Sequence, residues 1–148
     1  MSQVQIRKAR QSDVEPIRVC IAQAYADAIR DIPDLPDVTA GICQDIEMHE
    51  ALVAVLGPEV VGYVVFGPDG DALKVFNLAI SPQAQGRGLA RELLKAVETA
   101  AQDSGLRRLR LRTHCLMQGT VAMYQHLGWV EKGRNGNSVL MEKPISAG

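Results

Sequence analysis

Apolar residues recur along this chain with two periods, and each switch of period marks a new element. Val4 to Ala9 suits a first strand. Asp13 is placed to cap a helix, and Pro16 falls in the first turn, where its missing N–H is tolerated. Ile17, Ile21, Ala24, Ala28 and Ile29 then follow helical spacing until Pro33 and Pro36 end the run. A shorter helix is predicted from about Val38 to His49. Ala51 to Leu56 and Val60 to Phe66 are apolar runs split by Gly57-Pro58-Glu59, which reads as a hairpin. A second turn, Pro68-Asp69-Gly70-Asp71, leads into a strand from Leu73 to Ile80.

Leu89, Leu93, Leu94, Val97 and Ala101 form one face of a further helix, closed by Ser104-Gly105. Arg108, Arg110 and Arg112 alternate with Leu109, Leu111 and Thr113, the pattern of a half-buried strand. Val121, Met123, Tyr124 and Leu127 suggest a short helix ended by Gly128. Trp129 to Lys132 and Ser138 to Glu142 read as two last strands joined by residues 133–137. The order is β-α-α-β-β-β-α-β-α-β-β. Runs of neighbouring strands imply antiparallel pairing, and the strand-helix-strand unit from Leu73 to Thr113 implies one parallel pair. The expected fold class is α/β in the broad sense (α+β), with a mixed, mostly antiparallel sheet of about seven strands.

Composition narrows the function classes. A chain of 148 residues, 47% hydrophobic and 22% charged, suits one soluble domain spanning 1–148. No apolar run reaches bilayer length, and no secretory leader is visible, so the expected location is cytoplasmic, with no membrane partner. Cys20, Cys43 and Cys115 are odd in number and widely spaced, which fits reduced thiols and no metal site. Net charge is −1 but polarised. From Asp27 to Glu50 seven acids face only Arg30, a balance of −6; from Leu73 to Lys143 eleven bases face five acids, a balance of +6. Such halves can be two solvated faces, or can sort an anion toward one end and a cation toward the other.

The stretch NLAISPQAQGRGLARELLKAVE, residues 77–98, carries the candidate chemistry. A helix's first turn leaves N–H groups without intrahelical partners, and these attract phosphate. Gly86 and Gly88 remove side chains from the approach, Ala90 keeps a third position small, and Arg87 and Arg91 add charge. The alternative is a turn using glycine for positive φ. No lysine followed by Ser or Thr completes a P-loop. The dinucleotide fingerprint fails too, since Arg91 stands where its third small residue belongs and LRRLRLRT where its acid belongs.

Gln85-x-x-Gly88-x-Ala90 after LAISP resembles the acetyl-CoA loop of the GNAT N-acetyltransferase superfamily. IRKARQSDVEPI is similar to that family's opening strand and helix, and MYQHLGWVEKG to its closing helix and turn. The resemblance implies a GNAT-like domain with helices on both faces of the sheet and a splayed parallel strand pair. It also implies acetyl-CoA as cosubstrate, with CoA as product. The pantetheine arm would pair with backbone groups of Leu78, Ala79 and Ile80 like an added strand. The Leu78 N–H would polarise the thioester carbonyl. Gln85, Gly86, Arg87, Gly88, Leu89 and Ala90 would hold the pyrophosphate.

Tyr124 matches the family's tyrosine at the CoA sulfur. An ordinary thiol titrates at about 8.5 and a phenol at about 10, so a phenol can protonate a departing thiolate without first ionising. The general base is less legible. Some relatives carry a Glu in the strand at or near residues 73–77, where this chain offers Lys74 and Asn77. His114 is the leading candidate, since imidazole titrates near neutrality; it can equally cap the segment that follows. Glu47, His49 and Asp71 are further candidates. His126, two positions from Tyr124, should point elsewhere. Met117 stands where many relatives place an Asn that helps bind CoA. Cys115 is read as a packed thiol.

The resulting expectation is acetyl transfer to a cationic primary amine, small molecule or peptide, by direct attack in a ternary complex. The −6 segment would border the acceptor. A non-catalytic acyl-CoA-binding or regulatory module is the alternative. Near-neutral charge and 4% aromatics argue against a nucleic-acid partner, and a homodimer is left open.

Overall fold

The computed structural model describes residues 3–146. The first elements are β1 (Val4–Lys8), α1 (Val14–Ala24), α2 (Ala26–Asp31) and α3 (Ile42–Met48). Then come β2 (Glu50–Leu56), β3 (Glu59–Asp69), β4 (Ala72–Ile80) and α4 (Leu89–Asp103). The chain ends with β5 (Arg108–His114), α5 (Gln118–His126), β6 (Val130–Asn135) and β7 (Ser138–Pro144). The strands form one seven-stranded sheet in the order β1-β2-β3-β4-β5-β7-β6. The β1–β2, β2–β3, β5–β7 and β6–β7 pairs are antiparallel, and β4–β5 is the parallel pair.

The long first helix expected from the spacing is two helices. The chain breaks at Tyr25 (φ −102°, ψ 11°), and α2 starts in a new phase. Ile29, expected on the buried face, is 49% exposed. The second helix begins only at Ile42, after Gly41 takes a left-handed conformation. The hairpin, the glycine-preceded helix and the Arg-alternating strand stand as expected.

Two compact units are distinguishable. One holds the residues up to Phe66 together with Asn77–Leu94; the other holds Gly67–Phe76 and the residues from Lys95 on. Two apolar clusters of described residues lie in the first unit. Ile17, Cys20 and Ile21 of α1 join Ile42 of α3, Ala51 and Val53 of β2, Tyr63 and Val65 of β3, and Ala79 of β4. Ala54, Val61, Ala84 and Leu89 form the other core, with Ile80 against them. A bulge opposite Ala54/Val55 puts Val61 and Tyr63, two residues apart, into different cores. Covered on both sides, β2 and β3 read as near-continuous apolar runs rather than alternating ones. Gly62 lets α4 approach closely: a Cβ there would lie 3.1 Å from Ala54 Cβ and 3.2 Å from Leu93 Cδ1.

In the second unit, Leu109 and Leu111 of β5 and Val139 and Met141 of β7 are buried. Gly105 (φ 75°) ends α4 in a Schellman arrangement: Leu106 N–H donates to Ala101 O (2.9 Å) and Gly105 N–H to Gln102 O (3.1 Å).

Candidate active site

The loop between β4 and α4 is fixed at its entry and open at its rim. Ser81 is buried; its N–H donates to Val61 O (2.9 Å), and its hydroxyl donates to Cys20 Sγ (3.4 Å). Burial pushes the Cys20 thiol up, so it stays protonated at neutral pH. Pro82–Ala84 make one 3-10 turn, and Ala84 and Leu89 anchor the loop in the apolar core beneath. Gly86 (φ 83°) and Gly88 (φ 76°) take conformations that L side chains rarely adopt, and a Cβ on either would meet nothing within 4 Å. The glycines thus permit the turn and leave the rim clear of side chains.

Gly88 O accepts the Glu92 N–H (3.1 Å), which makes Gly88 the last residue before the first helical turn. Among the described residues, no hydrogen bond takes up the N–H of Gly86, Arg87, Gly88, Leu89 or Ala90. Gln85 differs from its neighbours. Its N–H donates to Pro82 O (3.3 Å), and its side-chain amide donates to Ile80 O (3.4 Å). Among the described residues, the free amide donors of the loop thus begin at Gly86. Arg87 and Arg91 are exposed beside them.

The strand leading into the loop departs from its parallel neighbour early. The register with β5 covers Leu73↔Leu109, Lys74↔Arg110 and Val75↔Leu111, while β4 continues to Ile80. The backbone from Phe76 to Ile80 therefore lies beyond the last rung of that ladder, as a splayed pair requires. Leu78 and Ala79 are buried side chains here. Asn77 does not project a free amide: its Nδ2 donates to Val38 O (3.2 Å). The Tyr25 hydroxyl lies 3.1 Å from both Asn77 Oδ1 and Leu78 O, and its single proton is shared between these acceptors. Burial pushes the Tyr25 phenol up to about 12, so it remains a donor. Sequence reasoning missed Tyr25. An aromatic among the apolar positions of α1 signals only packing.

The acidic segment is not uniform. Arg30 engages Asp31 (2.9 Å) and Asp27 (3.4 Å). Asp37 accepts the Thr39 hydroxyl (2.7 Å) and N–H (3.0 Å), which hold its carboxyl below the usual range. Asp45 is half-buried, and burial raises it, with His49 opposing the shift. Arg30 offsets only one of the two charges beside it, so the segment keeps its balance of −6. The connection bearing Asp34 and Asp37 meets β4 through Val38, next to Leu78.

In the second unit, Tyr124 is buried and meets Trp129 edge-on, with ring centroids 5.4 Å apart at 62°. Trp129 N–H donates to Tyr124 O (2.9 Å), closing the turn at Gly128. His114 is buried at the end of β5, and its Nδ1 accepts the Leu116 N–H (3.1 Å). A neutral ring with Nδ1 so occupied carries its proton on Nε2. That is the geometry of a capping imidazole. Two arginines of the β5 stripe are engaged by carboxylates. Arg110 pairs with Glu142 (2.8 Å), Asp69 (3.2 Å) and Asp71 (3.4 Å), and Arg108 with Asp71 (3.6 Å). Arg87 and Arg91 are the exposed bases of the +6 half that lie beside the loop. Met117 occupies the N-cap position of α5 without a side-chain cap bond, and its carbonyl accepts the Val121 N–H (3.0 Å).

Residues 21–129 match the family model of the acetyltransferase (GNAT) family. The chain belongs to the GNAT family. Among curated relatives, N-acetyltransferase 8F1 of Rattus norvegicus is 32% identical over 68% of this chain and 48% of its own length. N-acetyltransferase 8 of Mus musculus is 34% identical over 60% of this chain and 41% of its own. The chain thus spans about half the length of the curated relatives it matches. The GNAT fold is shared with PaiA N-acetyltransferase from Thermoplasma acidophilum in complex with coenzyme A. That match has a TM-score of 0.84 and 17% identity, over 97% of this chain and 99% of that one. The ribosomal-protein-S18-alanine N-acetyltransferase from Escherichia coli gives a TM-score of 0.79 at 19% identity, over 97% and 95%.

The geometry of the loop suits a pyrophosphate-bearing ligand. A pyrophosphate needs several convergent N–H donors, no side chain in the approach and positive charge nearby. Residues 86–90 offer uncommitted amides, two glycines with open Cβ positions, and the Arg87 and Arg91 guanidinium groups. Among the described residues, no cluster of side chains suits a metal, and no helix is long and apolar enough to cross a membrane.

Proposed function

We propose that this GNAT protein transfers acetyl from acetyl-CoA to a positively charged primary amine, on a small molecule or a peptide, by direct attack with both substrates bound. The observation that carries this reading is the row of uncommitted amides from Gly86 to Ala90, at the mouth of a fifteen-residue helix. Acetyl-CoA, when bound, supplies an activated acyl carbon and a thiolate leaving group.

The chain's own residues have separate roles. The amides of residues 86–90 grip the pyrophosphate. Backbone groups of Leu78, Ala79 and Ile80 pair with the pantetheine arm, in the stretch that has left the β5 ladder. The Leu78 N–H donates to the thioester oxygen as negative charge develops there. Tyr124 gives a proton to the departing sulfur. His114 holds the turn after β5; acting as a base through Nδ1 would break its bond to Leu116. Asp34, Asp37, Asp45 and Glu47 draw the acceptor's cation toward β4, where Val38 joins Asn77.

The test is thiol release from acetyl-CoA across a panel of amines, for the native protein and for Tyr124→Phe. Native turnover with cationic amines is expected, with kcat lowered at least about 10²-fold in the variant and CoA affinity unchanged. Calorimetric CoA binding without thiol release on any amine would instead establish the acyl-CoA-binding module. That outcome has one feature in its favour: residues 73–77 of β4 offer Lys74 and Asn77 and no carboxylate. No heat on adding CoA would refute both.

A further inference from the structure

We propose that Tyr25 and Asn77 are positioning residues for acetyl transfer, clamping β4 on both sides of the Leu78 amide and seating the acidic connection against it. This rests on the reading of Leu78 as the donor to the thioester. Three segments of the first unit close on one another here. The end of α1 brings the Tyr25 hydroxyl to Asn77 Oδ1 and to Leu78 O, each at 3.1 Å. The Asn77 amide passes the link on to Val38 O at 3.2 Å, between Asp37 and Thr39.

Neither polar group is there for packing alone, since Phe and Leu would fill similar volumes. Asn77 has its orientation fixed by two different partners: Oδ1 accepts and Nδ2 donates. The Tyr25 phenol donates over the whole working pH range. The clamp also falls where it is needed. Regular pairing with β5 stops at Val75↔Leu111, and beyond it β4 is held through Asn77 and the Leu78 carbonyl. A donor amide acts on a developing charge only if it does not have to move. A misplacement of about 1 Å can cost about 10²-fold in rate. The α1–α2 break at Tyr25 gives the phenol its place in the clamp.

The experiment compares backbone amide spectra of the full chain with CoA and with acetyl-CoA, alongside kcat. In the native protein, Gly86 and Gly88 should shift with either ligand, and Leu78 should respond specifically to the acetyl form. In Tyr25→Phe the glycine shifts and CoA affinity should stay native, while the acetyl-specific Leu78 response shrinks and kcat falls between about tenfold and about 10²-fold. Asn77→Ala should do the same, and the double variant should be no worse than the worse single one, because both break one device. Should Tyr25→Phe not fold, Asn77→Ala carries the test. Native Leu78 response and native kcat in the folded variants would overturn the proposal, as would losses that multiply in the double variant. Failure of Gly86 and Gly88 to respond in the native protein would instead sink the cradle. A responding cradle with a silent native Leu78 would remove the donor role, and this clamp with it.

Discussion

Replacing Gly88 with alanine separates two jobs the residue does at once. Its φ is 76°, and a Cβ there would touch no protein atom within 4 Å. The protein itself therefore objects only through backbone strain, about 1–2 kcal/mol for an L residue in the left-handed region. For a chain of this size, about 1 kcal/mol lowers Tm by roughly 2–4 °C. Gly105 supplies the control. It has φ 75°, equally open surroundings and a capping role at the far end of α4. Gly88→Ala and Gly105→Ala should thus lose similar stability. Their CoA affinities should diverge. The Gly88 Cβ would stand among the amides that meet the pyrophosphate, and each charge-assisted hydrogen bond lost is worth about 1.5–3 kcal/mol. At about 1.4 kcal/mol per decade, Kd should rise roughly ten- to a hundredfold for Gly88→Ala and stay native for Gly105→Ala. Denaturant unfolding and CoA calorimetry on the two variants measure both quantities. Equal CoA affinity in the two, at equal stability, would refute the cradle.

Three other outcomes follow from the same structure. Gly62→Ala would push a methyl to 3.1 Å from Ala54 Cβ and 3.2 Å from Leu93 Cδ1, so chemical denaturation should show a loss of about 1–3 kcal/mol; an unchanged midpoint would mean that α4 can back away. Asp13 is held below the usual carboxylate range, chiefly by hydrogen bonds from Arg7 (2.8 and 3.0 Å). Its folded value is depressed, so its contribution is full above the unfolded value of about 3.9 and is lost as pH falls through the folded one. Arg7→Met should accordingly move the acid-unfolding midpoint to higher pH, and an unmoved midpoint would show the pair to be idle. Neutralising Asp34, Asp37, Asp45 and Glu47 together should raise the KM of a cationic acceptor, with the native advantage shrinking in salt; a native KM in the quadruple variant would end the steering idea.

How far the chain could be read in advance differs from element to element. Leu89, Leu93, Leu94, Val97 and Ala101 repeat along α4 on one face, and a face that must be buried leaves its period in the sequence. The Gly86-Arg87-Gly88 rim was legible for a related reason: positive φ admits few residues other than glycine. Ile29 was misplaced because helical period says nothing of a one-residue break, and Tyr25 carries no breaking signal of its own. The arginines of β5 look alike as a string, yet Arg110 is bound into carboxylates contributed from the β3–β4 turn and from β7. Such pairing joins residues 32 to 41 positions apart, which no local pattern can encode.

The order of strands and helices, the two glycines at the mouth of α4 and the polarity of the two halves were all set by residues acting on near neighbours. Propensity, capping and turn chemistry are local, so a linear string suffices to express them. The early end of the β4–β5 ladder, the capture of the His114 Nδ1 and the Tyr25–Asn77–Val38 clamp were decided only when distant segments came together. A hydrogen bond takes its partner from whatever the fold brings within about 3 Å, and that choice exists only in three dimensions.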